Sequence, residues 1–368
     1  SYRFADPSAN IAANLGGATE SVEYDALGRT VAIDQQGDIT RFAYDLHDNL
    51  VRVEAPNGTT TEFLYDDFGR VVLERSPDRG ETRYRYDGVG NLVGRFDALG
   101  RLTSYAYDDR HRLTAVDFDD NGTAGAPDLV YHYDDWSGVT LAAGAYSCPD
   151  GRSFDFVPTH TAGRMSYAEH SVGRTYYAYT AFGEVRWSFV ERGTVSDPCD
   201  LEVTGYTYDF AGRVSSIQYP SGRIVHYRYT TSAGDETLYA ARIELEENGV
   251  VTPLVDAIEY APGGRIRSYV AGEVSMNASW DYAGQLEQLL YTKTSDGTPL
   301  FDWSITARDG NGNIERVGDT VLAQEYLNVY DDRDRLASSV GTNLAGNQAC
   351  GWTYDGAGNR LSETCYGK

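Results

Sequence analysis

The sequence is poor in several things that common functions require. Its 368 residues hold no apolar run approaching a membrane span and no recognisable secretory leader. Positive charge is scarce, 31 Lys and Arg against 55 Asp and Glu, for a net charge of -24. So acidic a surface repels phosphate backbones and anionic lipid, which argues against nucleic-acid and membrane-surface partners. Lysine is nearly missing: Lys293 and Lys368 are the only two, and every other basic residue is arginine. Catalytic signatures are also wanting. There is no GxSxG, HExxH or P-loop, and the histidines His47, His111, His132, His160, His170 and His226 are scattered without a nucleophile motif beside them. Nothing satisfies a nucleophile–base–stabiliser pattern, so the chain is expected not to be an enzyme. A leucine ladder is absent, which excludes leucine-rich repeats, and 5 tryptophans are too few for a choline-binding array.

What is abundant is tyrosine, 29 residues, and glycine, 39 residues, a balance that favours strands and tight turns over helices. Both are placed periodically. Tyr-Asp pairs begin at Tyr24, Tyr44, Tyr65, Tyr86, Tyr107, Tyr133, Tyr208, Tyr330 and Tyr354, with weaker copies such as "FDALGR" at Phe96, "YTAFGE" at Tyr179, "WDYAGQ" at Trp280 and "RDGNGN" at Arg308. A repeat of about twenty residues overrides any domain count taken from length. Taking the Tyr as position 0, glycine stands at +4 in most copies, and Asp48, His111 or Asp334 replaces it in others. All are residues that tolerate a left-handed backbone, so +4 is expected to close a hairpin. Tyr133 is the exception, with Gly138 one place late. The Asp at +1 is suited to accept backbone N–H groups as an Asx-turn. Arg or Asn at +5 opens the next strand and partners the carboxylate. An aromatic at -2, such as Phe42, Phe63, Tyr84 or Trp352, shares one strand face with the Tyr at 0. Neighbouring hairpins are then expected to stack these aromatics across strands.

The motif YDxxGR, written out in Tyr24, Asp25, Gly28, Arg29, in Tyr65, Asp66, Gly69, Arg70 and in Tyr208, Asp209, Gly212, Arg213, resembles the YD repeat of the Rhs family over about residues 20–365. That family includes bacterial Rhs polymorphic toxins, insecticidal toxin-complex B and C components and the teneurins. The resemblance implies an all-β fold, an array of antiparallel β-hairpin YD repeats forming a curved or spiralling β-strip. It also implies a scaffold role in a shell that encloses or carries a toxin or other polypeptide, with other domains of the same longer polypeptide as partners. The alternative is a secreted or cell-surface adhesion protein whose tyrosines hold glycans. The Rhs core with its self-cleaving aspartates and "DPxGL"-like motif does not occur, so autoproteolysis is not carried over. The opening "SYRFADPS" lacks Met and reads as the start of a piece of a longer protein. The expected organisation is a lead-in over residues 1–20, regular repeats over 20–135, irregular repeats with a cysteine insertion over 136–205, and repeats over 206–368 that degenerate in 260–315.

Two further features bear on chemistry. The cysteines Cys148, Cys199, Cys350 and Cys365 are read as two disulfides in an oxidising, extracytoplasmic compartment; the alternative is four free thiols in a cytosolic protein. Cys350 and Cys365 lie almost symmetrically about a turn and are expected to face each other across hairpin strands. Cys148 and Cys199, in "CPD" and "DPC", are expected to staple the irregular region. Zinc is not expected without C-x-x-C spacing. The stretch "DFDDNGTAGAPD" fits a calcium loop, with Asp117, Asp119 and Asn121 as ligands, Gly122 at the sharp turn and Asp128 closing the site. The competing reading is a solvated acidic loop, and no other cofactor is expected.

Overall fold

The computed structural model describes residues 11–15, 18–35, 37–118, 127–331, 333–343, 346–355 and 358–366. Asp119, Asn121 and Gly122 of the candidate calcium loop, and most of the expected lead-in, lie outside them. The chain divides into two compact units, Ser1–Tyr84 with Val274–Lys368, and Arg85–Glu273.

In the first unit the strands Ala18–Tyr24, Thr30–Gln35, Asp38–Tyr44, Leu50–Glu54, Thr60–Tyr65 and Val71–Ser76 each pair antiparallel with the next. The later stretch does the same from Val274–Trp280 through Leu286–Lys293, Pro299–Arg308, Ile314–Asp319, Gln324–Tyr330, Leu336–Asn343 and Gly346–Tyr354 to Arg360–Tyr366. The second unit is likewise a meander, running from Leu92–Phe96 to Arg265–Ala271. Pairing with the next strand in sequence is what a hairpin repeated along a chain dictates, since each strand finds its partner across a short turn; Leu129–Tyr133 departs from this by pairing with Met165–His170 across an insertion.

Strand faces follow the expected two-residue alternation. In Thr60–Tyr65, Glu62 and Leu64 are exposed while Phe63 and Tyr65 are half-buried. The strand leaving a YD turn carries a recurrent irregularity. The pairing register shifts between positions -1 and 0, between Ala43 and Tyr44, Leu64 and Tyr65, Ala106 and Tyr107, Thr207 and Tyr208, and Val329 and Tyr330. Tyr65 therefore faces Val71 while Leu64 faces Leu73, which leaves Val72 as the extra residue of a β-bulge. A bulge adds local right-handed twist and bend, so every repeat carries the same small turn of the sheet in its own register.

The second unit differs between its residues 134 and 203. Here a separate two-stranded hairpin, Gly144–Ser147 with Ser153–Phe156, lies over the sheet. Between them they close a core of Trp136, Leu141, Phe154, Phe156, Tyr167, Tyr176, Phe189, Leu201 and Val203. Phe156, Tyr176, Phe189 and Val203 have no exposed surface. The rings pack edge to face, with Phe156 and Phe189 centroids 5.0 Å apart and Phe156 and Tyr176 5.6 Å apart. Gly205 is required by this packing, because a Cβ there would lie 2.2 Å from the Trp187 ring. Cys148 is bonded to Cys199, and Arg152 reinforces the same junction by donating to the carbonyls of Leu201 at 2.8 Å and Cys199 at 2.6 Å.

Candidate functional site: the repeated turn and its clamp

The recurring constellation is the YD turn itself. In the copy at Tyr24, the Asp25 N–H donates to the Arg29 carbonyl at 2.9 Å and the Gly28 N–H to the Asp25 carbonyl at 2.9 Å. One Asp25 carboxylate oxygen accepts from the backbone N–H of Leu27 at 2.9 Å and of Arg29 at 3.0 Å, and the other from Arg29 Nε at 2.7 Å. Asp66 with Phe68 and Arg70, and Asp209 with Ala211 and Arg213, repeat this arrangement within about 0.1 Å. Where +5 is asparagine its side-chain amide substitutes for the guanidinium, as Asn49 does on Asp45 at 2.9 Å. Outside the Tyr133 copy the residue at +4 is left-handed, with φ of 80° at Gly28, 74° at Gly69 and 75° at Gly212, and 68°, 62° and 59° at Asp48, His111 and Asp334. Hydrogen bonds to the charged form hold these carboxyls below the ordinary range: the Arg29 backbone and guanidinium for Asp25, the Arg70 guanidinium for Asp66, the Asn49 amide for Asp45.

A second layer of contacts ties each turn to the next repeat. The Tyr hydroxyl at position 0 donates to the carbonyl at +6 of the preceding turn: Tyr44 to Thr30 at 2.9 Å, Tyr65 to Leu50 at 2.7 Å, Tyr208 to Val185 at 2.8 Å and Tyr354 to Leu336 at 2.9 Å. The Arg at +5 lies over that same ring, with Arg29 4.7 Å from the Tyr44 centroid, Arg112 4.3 Å from Tyr133 and Arg213 3.9 Å from Tyr229. Burial raises the hydroxyl pKa of Tyr65, Tyr208 and Tyr229, which keeps the donor protonated.

This corrects the expectation of aromatic stacks between regular repeats. There the position-0 Tyr is held by a carbonyl and, where the preceding +5 residue is arginine, by a guanidinium, while ring-on-ring contacts concentrate in residues 132–189 and at Tyr239–Tyr260 and Tyr291–Tyr326. A signal for the clamp was present. Position -2 varies among Phe, Tyr, Trp, Val22 and Asn328, whereas position 0 is Tyr in every Tyr-Asp copy, as a requirement for the hydroxyl at position 0 would dictate. The degenerate copy at Arg308 makes the point chemically: Arg308 donates to the Leu286 carbonyl at 2.8 Å, the same +6 acceptor.

The copy at Tyr133 is also corrected. Gly138 does not complete it. The Asp134 N–H donates to the Arg164 carbonyl at 3.0 Å, thirty residues on instead of four, and Gly163 takes the left-handed place with φ 78°. Met165 then occupies +6, pairing with Tyr133 and accepting the Tyr179 hydroxyl at 2.7 Å. The aromatic hairpin is thus inserted inside a single YD turn whose two halves still meet. Side-chain hydrogen bonds from Arg112 and the Gly163 N–H hold the Asp134 pKa at about 2.

Cys350 and Cys365 are bonded across directly paired strand positions. Of the calcium-loop residues, Asp117 sits on the strand Leu113–Phe118 and Asp128 accepts the Phe118 N–H at 2.7 Å. Among the described residues no group of three or more His, Cys, Asp or Glu is arranged to hold a metal ion. Among the described residues no helix is long and apolar enough to cross a membrane. His132 and His226 pair with Glu169 and Glu246, each at 2.8 Å.

An antiparallel ribbon of hairpins, each locked internally by a carboxylate and externally by a tyrosine, is a structural repeat scaffold. The RHS Repeat family profile matches residues 24–60, 44–82 and 86–123, so this part of the chain is built of Rhs repeats. No curated protein matches it significantly. Among solved structures it is similar to a TcdB2-TccC3-Cdc42 crystal structure, at 17% identity and a TM-score of 0.76, covering 95% of this chain and 19% of that one. A TcdB2-TccC3 crystal structure lacking the hypervariable C-terminal region matches at 16% identity and a TM-score of 0.77, covering 95% of this chain and 19% of that one. The Photorhabdus luminescens Tc holotoxin pore carrying a TccC3 mutation matches at 17% identity and a TM-score of 0.76, covering 95% and 18%. The chain thus spans about a fifth of the length of these relatives, and at such identity the likeness establishes the fold.

Proposed function

We propose that this scaffold forms part of a shell wall that encloses or carries another polypeptide, in a secreted or otherwise extracytoplasmic protein. The observation that carries the reading is the repeat-to-repeat clamp. Tyrosine hydroxyl, guanidinium and +6 carbonyl join successive hairpins into a wall whose stability is spread over its length. The similarity to TcdB2-TccC3 assemblies supports the association with toxin-complex domains, and two disulfides support an oxidising destination. On this reading the acidic turn residues cap bends and carry no chemistry of their own.

The test is protease protection in the natural gene product. A polypeptide carried behind the wall is cleaved at least about tenfold more slowly than the same polypeptide expressed alone, because cleavage requires the wall to open. Equal cleavage rates would overturn the enclosing role and leave the scaffold.

A further inference from the structure

One strand of the second unit changes partner part-way along. Val250–Ala261 pairs with Arg242–Glu247 through its first half and with Arg265–Ala271 through its second. Between the halves Ala257 takes a left-handed φ of 50° and the register breaks between Asp256 and Glu259, so the strand turns a corner there. Among the described residues of this unit, no strand pairs with the other side of residues 250–255. That segment reads V-V-T-P-L-V, without a charge, and Val250, Val251 and Leu254 are 62%, 46% and 42% exposed. An exposed, uncharged edge rich in β-branched residues is a template for adding a strand.

Pro253 interrupts that template, and the hairpin geometry shows in which direction. Asn248 and Gly249, with φ of 53° and 75°, form a two-residue turn of type I′, so the flanking Glu247 and Val250 exchange both backbone hydrogen bonds. Alternation along the pair makes Leu245 and Thr252 the next bonded pair. It leaves Glu246 with Val251, and Glu244 with Pro253, as non-bonded pairs. The backbone groups of Val251 and Pro253 therefore point away from Arg242–Glu247, toward the free side. Proline at 253 costs the hairpin no ladder bond, because the N–H it lacks is one the partner strand does not use. On the free side it removes a donor and sets its ring where an added strand would bring a carbonyl.

We propose that Pro253 is the block that keeps this edge unpaired, and that without it residues 250–255 pair antiparallel with the same edge of a second copy. The other five residues already suit a ladder, so a single position decides whether the edge is open. The same segment lies on both sides of such a contact, which is therefore two-fold and closes at a dimer.

Sedimentation velocity on the intact chain tests this, at high salt so that repulsion between copies of net charge -24 is screened. Pro253→Thr should dimerise at least about 100-fold more tightly than the wild type, from the ladder bonds it gains. Hydrogen exchange at residues 251 and 253 should slow as its concentration rises. Pro253→Ala, which restores the N–H without a β-branched side chain, should shift association in the same direction. Adding a charge to the same edge, in P253T/V251K, should return association to the wild-type level. Circular dichroism spectra matching the wild type establish that the variants keep the fold. Pro253→Thr and Pro253→Ala proteins that sediment as the wild type does, or exchange at 251 and 253 that ignores concentration, would overturn the proposal. So would association that survives in P253T/V251K, which would assign the contact to another surface.

Discussion

The regular repeats around Tyr24 to Tyr107 and the inserted region from Asp134 to Val203 are built from the same kinds of residue and are held together in opposite ways. In the regular repeats few side chains are fully buried, and cohesion comes from short local bonds copied from turn to turn. In the insertion five aromatic or apolar side chains, Phe156, Tyr176, Ala178, Phe189 and Val203, lose all exposure, and a disulfide closes the core. A single-layer ribbon has no second face to bury against, so it depends on polar clamps. Adding one hairpin over the sheet supplies the second layer that a hydrophobic core needs.

The contrast is sharpest in the core. Phe189→Ala should cost about 3–5 kcal/mol, the range for emptying a fully buried aromatic site, measured by denaturant unfolding followed through tryptophan fluorescence. A loss below about 1 kcal/mol would mean the inserted region is no better packed than the ribbon.

Reduction should also separate the regions. The Cys148–Cys199 bond closes a 51-residue separation and Cys350–Cys365 one of 15. On the loop-entropy relation the first contributes about 4 kcal/mol and the second about 3 kcal/mol. The paired substitutions C148A/C199A and C350A/C365A, compared by melting temperature, should fall in that order, with the first acting on the aromatic core.

Within the ribbon, Tyr65→Phe removes the hydroxyl that reaches the Leu50 carbonyl and should cost about 1 kcal/mol. Phe63→Tyr, two residues earlier on the same face, should be near neutral. Equal effects at the two positions would refute the clamp.

The smallest effect per residue, repeated many times, is the response to acid. The folded-state pKa values of Asp25, Asp45 and Asp66 are depressed by their hydrogen bonds, and that of Asp134 reaches about 2. Depressed carboxyls contribute stability above their unfolded value of about 3.9, and that contribution is lost as pH falls through the folded value. The melting temperature should therefore be flat from pH 7 to about 5 and fall between about pH 4 and 2. Asp66→Asn should flatten its own share of that fall.

The hairpin period, the left-handed +4 residue and the Asp-capped bend were all legible in the residue order, because each is a local conformational preference. Both cysteine pairings are as the sequence implied, since flanking turns place the partners. The clamp was only half legible: Tyr at 0 was visible, but its acceptor is a backbone carbonyl about fifteen residues earlier, which leaves no mark on side-chain identity. The split turn at Tyr133 was misread because Gly138 lay close by, while Gly163 and Arg164 complete the bend only once the inserted hairpin has folded back.

What the residue order determined by itself is the unit: a strand, a bend and a strand, specified by steric limits on φ and by a carboxylate that satisfies three neighbouring donors. What only the folded chain decided is how units meet. Carbonyl acceptors, guanidinium-over-ring contacts, the β-bulge and the buried aromatic core all depend on which segments are brought side by side, and backbone groups look alike at every position until that happens.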